Sequence, residues 1–155
     1  MGKQSYDSIE ELIADLENDI QNKVKPQIEK EMREIMKDMI NKVVYSAYKP
    51  SFYTRRYSNG GLIDDKNIEI TASYSNGTLE ITMKNITKGN TGYSDKFPNS
   101  NTSGSIADLI EYGSYESASL STYIGERPFQ QETIDKIEES GIIDKIIEKA
   151  LSDWF

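Results

Sequence analysis

From residue 8 to residue 48 the chain carries apolar side chains at Ile9, Leu12, Ile13, Leu16, Ile20, Val24, Ile28, Met32, Ile35, Met36, Met39, Ile40, Val43 and Val44. Steps of three and four put these on one helix face, so the spacing predicts a long amphipathic N-terminal helix against which the rest must pack. Ser8 and Glu11 stand at capping-box spacing at its start. Pro26 falls inside the pattern, where it removes a backbone donor and crowds the previous turn, and predicts a kink or break near Lys25. The segment before it, about 17 residues, would span roughly 25 Å. Met32, Met36 and Met39 read first as helical core and second as a methionine-rich binding groove. Glu29, Lys30, Glu31, Arg33, Glu34, Lys37 and Asp38 read as the wet face, with Glu29 and Arg33 at ion-pair spacing.

The next strong signal is IEITASYSNGTLEITMKN, residues 68–85. A two-residue turn at Asn76-Gly77 would pair Tyr74 with Leu79, Ala72 with Ile81 and Ile70 with Met83, all on one face. The opposite face would hold Ser73 with Glu80, Thr71 with Thr82 and Glu69 with Lys84. A slip by one residue would turn the apolar row out to water, so the register is well specified.

Residues 87–105 are rich in turn formers and poor in apolar anchors, and predict a long mobile loop or arm. Pro128 suits the first turn of a helix over 128–139, which Ser140-Gly141 would interrupt. A final helix over 142–153 would carry Ile143, Ile146, Ile147, Ala150, Leu151 and Trp154 on one face. No internal repeat is visible. The expected fold is one α+β domain over 1–155: long N-terminal helix, small antiparallel sheet with a hairpin at 68–85, C-terminal helices.

Of the 155 residues none is cysteine or histidine. That removes disulfides, thiolate nucleophiles, the usual zinc sites and every Ser-His or Cys-His dyad, so no enzyme and no cofactor are expected. Absence of cysteine fits assembly in a reducing compartment. Lys3 is followed by polar residues, unlike a secretory signal, and no apolar run approaches the roughly 18 residues of a membrane span. The net charge of −8 is uneven: residues 1–50 hold eight basic and ten acidic residues, 51–105 six and five, 106–155 four and eleven. Such a surface repels nucleic acid or imitates it.

YKPSFYTRR, residues 48–56, places aromatics, a proline and two arginines at the end of the long helix. A catalytic phosphate clamp would need a base or metal cluster, and Asp64, Asp65 and Glu69 lack convergent spacing for one. Nucleic-acid stacking is a second reading, drawing on Lys49, Phe52 and Tyr57 as well. In a third, Pro50 ends the helix, the aromatics close the core, and the arginines pair with acids, including those of the C-terminal helix. In a fourth, compatible with the third, the corner docks a neighbouring subunit, since Tyr and Arg are enriched at interface hot spots. Arg127 has the same two options, salt-bridge partner or interface residue. Tyr57, Tyr93, Tyr115 and Tyr123 fall in expected loops, which favours interaction over chemistry.

Two motifs carry a family resemblance. Ile110, Glu111, Tyr112, Gly113, Arg127, Pro128 and Phe129 form an E-x-G, spacer, R-P-F pattern, and Tyr48, Pro50, Tyr53, Arg55, Arg56, Gly61 and Leu62 form a Y-x-P-x-x-Y-x-R-R, G-L pattern. In this order, over about residues 8–150, the chain resembles the minor tail-component, tail-completion or head-tail joining proteins of long-tailed bacteriophages. The acidic final helix and the insertion at 87–105 have no counterpart in that pattern. The resemblance implies a structural virion protein of the neck or tail, assembled in the host cytoplasm as a homo-oligomeric ring, of six copies by expectation. Its partners would be the connector or stopper on one side and the tail tube or terminator on the other, with DNA passing transiently and no membrane. Interface candidates are Tyr48, Pro50, Tyr53, Arg55, Arg56, Tyr93, Phe97 and Arg127. Glu138, Glu139, Asp144 and Glu148 are candidates for an acidic lining of the DNA passage. The competing expectation is an acidic anti-defence protein that mimics DNA in a host nuclease.

Overall fold

The fold was analysed in a computed structural model, which describes residues 5–47, 49, 54–88, 105–115 and 123–152. The N-terminal apolar stripe forms a helical run from Ile9 to Tyr45. It opens with α1 (Ile9–Asp19), capped by Ser8, whose Oγ accepts the Glu11 N–H at 3.1 Å. The return bond of the capping box goes one residue further out: Glu11 Oε2 accepts the Asp7 N–H at 3.1 Å. A π-helical turn (Ile20–Val24) joins α1 to α2 (Lys25–Met39), and a second π-helical stretch (Ile40–Tyr45) ends the run.

The interruption expected at Lys25–Pro26 therefore takes the form of a change of register, and the chain stays helical through it. The Lys25 N–H reaches five residues back to the Ile20 carbonyl. Pro26, which has no N–H to donate and whose ring crowds a regular preceding turn, then sits in the first turn of α2.

The hairpin has the expected register. β1 (Ile68–Ser75) pairs antiparallel with β2 (Thr78–Asn85), with Ile70 opposite Met83, Ala72 opposite Ile81 and Tyr74 opposite Leu79. Asn76 and Gly77 have φ of 52° and 78°, the double left-handed geometry of the tight turn whose twist matches its strands. Ile68 and Ala72 are buried while Glu69, Thr71 and Ser73 face out.

Two apolar clusters meet under the hairpin, bridged by Ile70 and Met83. The first joins Met36, Ile40 and Val44 to Leu62, Ile68, Ala107 and Phe129. The second joins Val24, Ile28 and Met32 to Ile137 and Ile146. The methionines of α2 are thus core. Each fully buried aliphatic or aromatic side chain contributes about 1.5–3 kcal/mol relative to exposure.

The remaining elements are α3 (Ile106–Tyr112), a two-residue antiparallel pair of β3 (Ser114–Tyr115) with β4 (Tyr123–Ile124), α4 (Phe129–Ser140) and α5 (Ile142–Ser152). Gly141, at φ 57° and ψ 29°, ends α4 in the left-handed conformation expected there. Pro128 occupies the capping position, one residue outside the helix instead of in its first turn. Lys88 and Ser105 form an antiparallel bridge, so the two ends of the predicted arm are held together. Residues 89–104, and Trp154, lie outside the described residues.

Candidate functional site

The corner after the long helix is built on Tyr45. The Arg55 guanidinium stands 4.8 Å from the centre of its ring and donates to its backbone carbonyl at 2.8 Å, capping the helix end. The ring of Tyr57 meets Tyr45 edge-on at 5.0 Å. Burial pushes the Tyr45 hydroxyl above the usual tyrosine range, with the Arg55 charge pulling the other way.

Residues 56–64 then turn sharply, with Tyr57 at φ 47° and Gly60 at φ 79°. The Asp64 carboxylate closes the turn by accepting the Lys66 N–H at 3.0 Å and the Gly60 N–H at 2.7 Å, and these two bonds hold its pKa below the usual range. Gly61 is required by space: a Cβ there would lie 2.4 Å from the Tyr57 carbonyl oxygen. Arg56 donates to the Lys88 carbonyl at 2.6 Å, fastening the turn to the end of the hairpin.

From Lys88 the connection continues. Ser105, its bridge partner, caps α3 by accepting the Asp108 N–H at 3.2 Å. On the buried side of α3 lies Glu111, whose two carboxylate oxygens accept the N–H groups of Gln130 and Gln131 at 2.8 and 2.9 Å. Those are orphan donors in the first turn of α4, so a carboxylate from another element caps that helix and complements its dipole. The Arg127 N–H donates to the Ile110 carbonyl at 2.9 Å, and Phe129 is fully buried in the first cluster. Gly113, at φ 75° and ψ 157°, turns the chain out of α3 in a conformation open essentially to glycine alone.

The buried amide of Asn85 ties the two motifs together. It donates to the Leu62 carbonyl at 2.8 Å, and its oxygen accepts the Thr87 hydroxyl at 2.6 Å, while its backbone N–H donates to the Gln130 side chain at 3.1 Å. The R-R, G-L segment and the E-x-G, R-P-F segment are therefore parts of one corner, clasped around the end of the hairpin.

The candidate residues are distributed as follows. Arg55, Arg56 and Arg127 are half-buried in this corner. Of the two arginines that one reading pairs with nearby acids, Arg56 donates to the Lys88 carbonyl. Tyr48, Pro50, Tyr53, Tyr93 and Phe97 lie outside the described residues. Glu138, Glu139, Asp144 and Glu148 are all exposed, two at the end of α4 and two on α5. Between α2, α4 and α5 lies a shallow groove of about 320 Å³, floored by Ile35 and Ile142 and edged by Glu31, Glu34, Asp38 and Lys136.

Three polar features were not foreseen. Asn85 shares the inward parity of Leu79, Ile81 and Met83, a signal that strand alternation offers. Glu111 lies one helical turn after Ala107, on the buried face. Arg33, expected on the wet face beside Glu29, instead donates to the carbonyls of Asp65 and Ile68 at 2.7 and 2.6 Å. Beside it Lys37 contacts Asp65 at 2.6 Å, which raises the Lys37 pKa.

One protein family, described as YomN, has a family model that matches residues 8–153, nearly the whole chain. No curated protein and no solved structure matches it.

Proposed function

The chain belongs to the YomN family, a phage-associated group, and on that premise we propose that it is a structural, non-enzymatic part of the phage particle. In this reading it completes the tail or joins tail to head, as a ring in the neck between the capsid connector and the tail tube. Its partners are further copies of itself, six by expectation, with a connector or stopper on one side and a tube or terminator on the other.

The supporting observation is the corner. The described parts of both motifs that resemble tail-completion proteins converge there through Arg56, Lys88, Ser105, Glu111 and Arg127. Aromatic rings are exposed on it: Tyr112, beside the buried Glu111, is 74% exposed, and Tyr57, edge-on to Tyr45, is 47% exposed. A rigid hydrogen-bonded corner presenting tyrosines suits subunit docking, because an ordered aromatic anchor loses little side-chain entropy on binding. Rings use heterologous contacts, one patch meeting a different patch of the neighbour.

Light scattering over a concentration series tests the reading. A ring-former should reach a closed oligomer, Tyr112→Ala should shift that equilibrium toward smaller species, and the protein should sediment with mature particles. A chain that stays monomeric, is absent from particles and binds a basic nuclease in a strongly salt-dependent way would instead fit the DNA-mimic alternative. Exchange of Glu138, Glu139, Asp144 and Glu148 for lysine should slow genome ejection without stopping assembly, and unchanged ejection would reject an acidic lining.

A further inference from the structure

The first helix of the chain has an apolar face that is left largely open among the described residues. None of the residues of α1 is buried: Ile9 is 72% exposed, Ile13 49% and Leu12 38%. With Leu16 these side chains form one stripe at spacings of three and four, on a helix that is properly capped by Ser8. A capped amphipathic helix with an open face is incomplete as a folding unit, since most helix stability in proteins comes from packing that face.

The charge around the stripe restricts what can cover it. Between residues 7 and 19 stand Asp7, Glu10, Glu11, Asp15, Glu17 and Asp19, with no lysine or arginine. Two copies of α1 laid together would set carboxylates against carboxylates along both edges, an arrangement that opposes self-pairing. Among the described residues, the other large apolar side chains exposed on helices are Leu109, Tyr112, Ile134 and Leu151, and the charged residues one helical turn away are Asp108 for Tyr112, Glu138 for Ile134 and Glu148 for Leu151. A second copy offers α1 no basic rim there.

We infer that α1 is a docking helix for a different protein, one that offers an apolar groove edged by lysine or arginine. The stripe supplies the contact area, and the flanking carboxylates supply orientation and discrimination against acidic surfaces. The inference goes beyond the place in a ring proposed above and does not require it, because the surface concerned is α1 and not the corner.

The test uses the full chain and two synthetic amphipathic helices, each with leucines on one face: one carries lysines along both edges, its twin glutamates. Binding is read by fluorescence anisotropy. The lysine-edged helix should bind at least about tenfold more tightly than its twin, and less tightly as salt rises. The double variant Ile9→Ser, Ile13→Ser should keep its melting curve and lose that binding at least about tenfold. Glu10→Lys combined with Glu17→Lys keeps the stripe, leaves four carboxylates against two lysines and should narrow the preference for the lysine-edged helix at least about threefold. Three results would overturn the inference: either variant binding both probes as the parent does; the serine variant dissolving a self-associated form of the parent, which would make a second copy the occupant; or the serine variant abolishing binding to phosphatidylcholine vesicles, which would make it a lipid surface.

Discussion

α1 and α2 are two lengths of one helical run, written with the same apolar spacing, and they meet opposite fates. α2 buries Ile28, Met32, Met36 and Met39, whereas α1 buries nothing. Length explains much of the difference. A helix from Ile9 to Tyr45 spans about 55 Å, while a compact chain of this size has a radius of gyration near 15 Å. The hairpin, α4 and α5 can cover only part of such a rod, and their apolar residues cluster with Val24 through Val44. Periodicity reports which face of a helix is apolar; it does not report whether the partner for that face lies in the same chain.

Cavity formation should separate the two lengths most clearly. Ile28→Ala removes a fully buried side chain and is expected to cost about 3 kcal/mol in urea unfolding, whereas Ile13→Ala should stay within about 0.5 kcal/mol. Comparable losses at both sites would break the contrast.

The two helix starts give a second, smaller test. α4 is capped by the buried carboxylate of Glu111, α1 by its own exposed Ser8. Glu111→Ala strands two N–H groups and should cost about 2 kcal/mol, while Ser8→Ala should cost under about 1 kcal/mol, since α1 can fray without opening the core. Equal effects at the two caps would mean that α1 is as firmly docked as α4.

The smallest expected effect is alkaline. Burial raises the folded-state pKa of Tyr45, and contact with Asp65 raises that of Lys37. In both cases the stabilisation is complete below the unfolded-state pKa, near 10, and fades as pH rises through the folded value. Unfolding midpoints should therefore fall above about pH 10, less steeply in Tyr45→Phe. Since both groups belong to the covered part of the molecule, Ile13→Ala should leave this pH dependence unchanged.

The hairpin could be read from its residues because alternation and the Asn76-Gly77 turn admit only one register with a buried row. The bounds of α4 and α5 follow from Pro128 and Gly141 to within a residue. Pro26 was harder: its ring and missing donor demand an irregularity, but a break and a widened turn meet that demand equally, and only the three-dimensional path decides. The corner shows the other limit. Asn85's inward parity is visible in the spacing, yet nothing local says that its amide reaches Leu62, or that Glu111 caps a helix 19 residues further on. Such contacts depend on which elements meet, and short polar motifs acquire their meaning only then.

The most direct measurement is hydrogen exchange on the purified chain and on the same chain within assembled particles. In the free protein the amides of 9–19 should exchange far faster than those of 25–39, and in the particle the two sets should become comparably slow. Equal protection in the free chain, or an α1 left unprotected after assembly, would contradict the account.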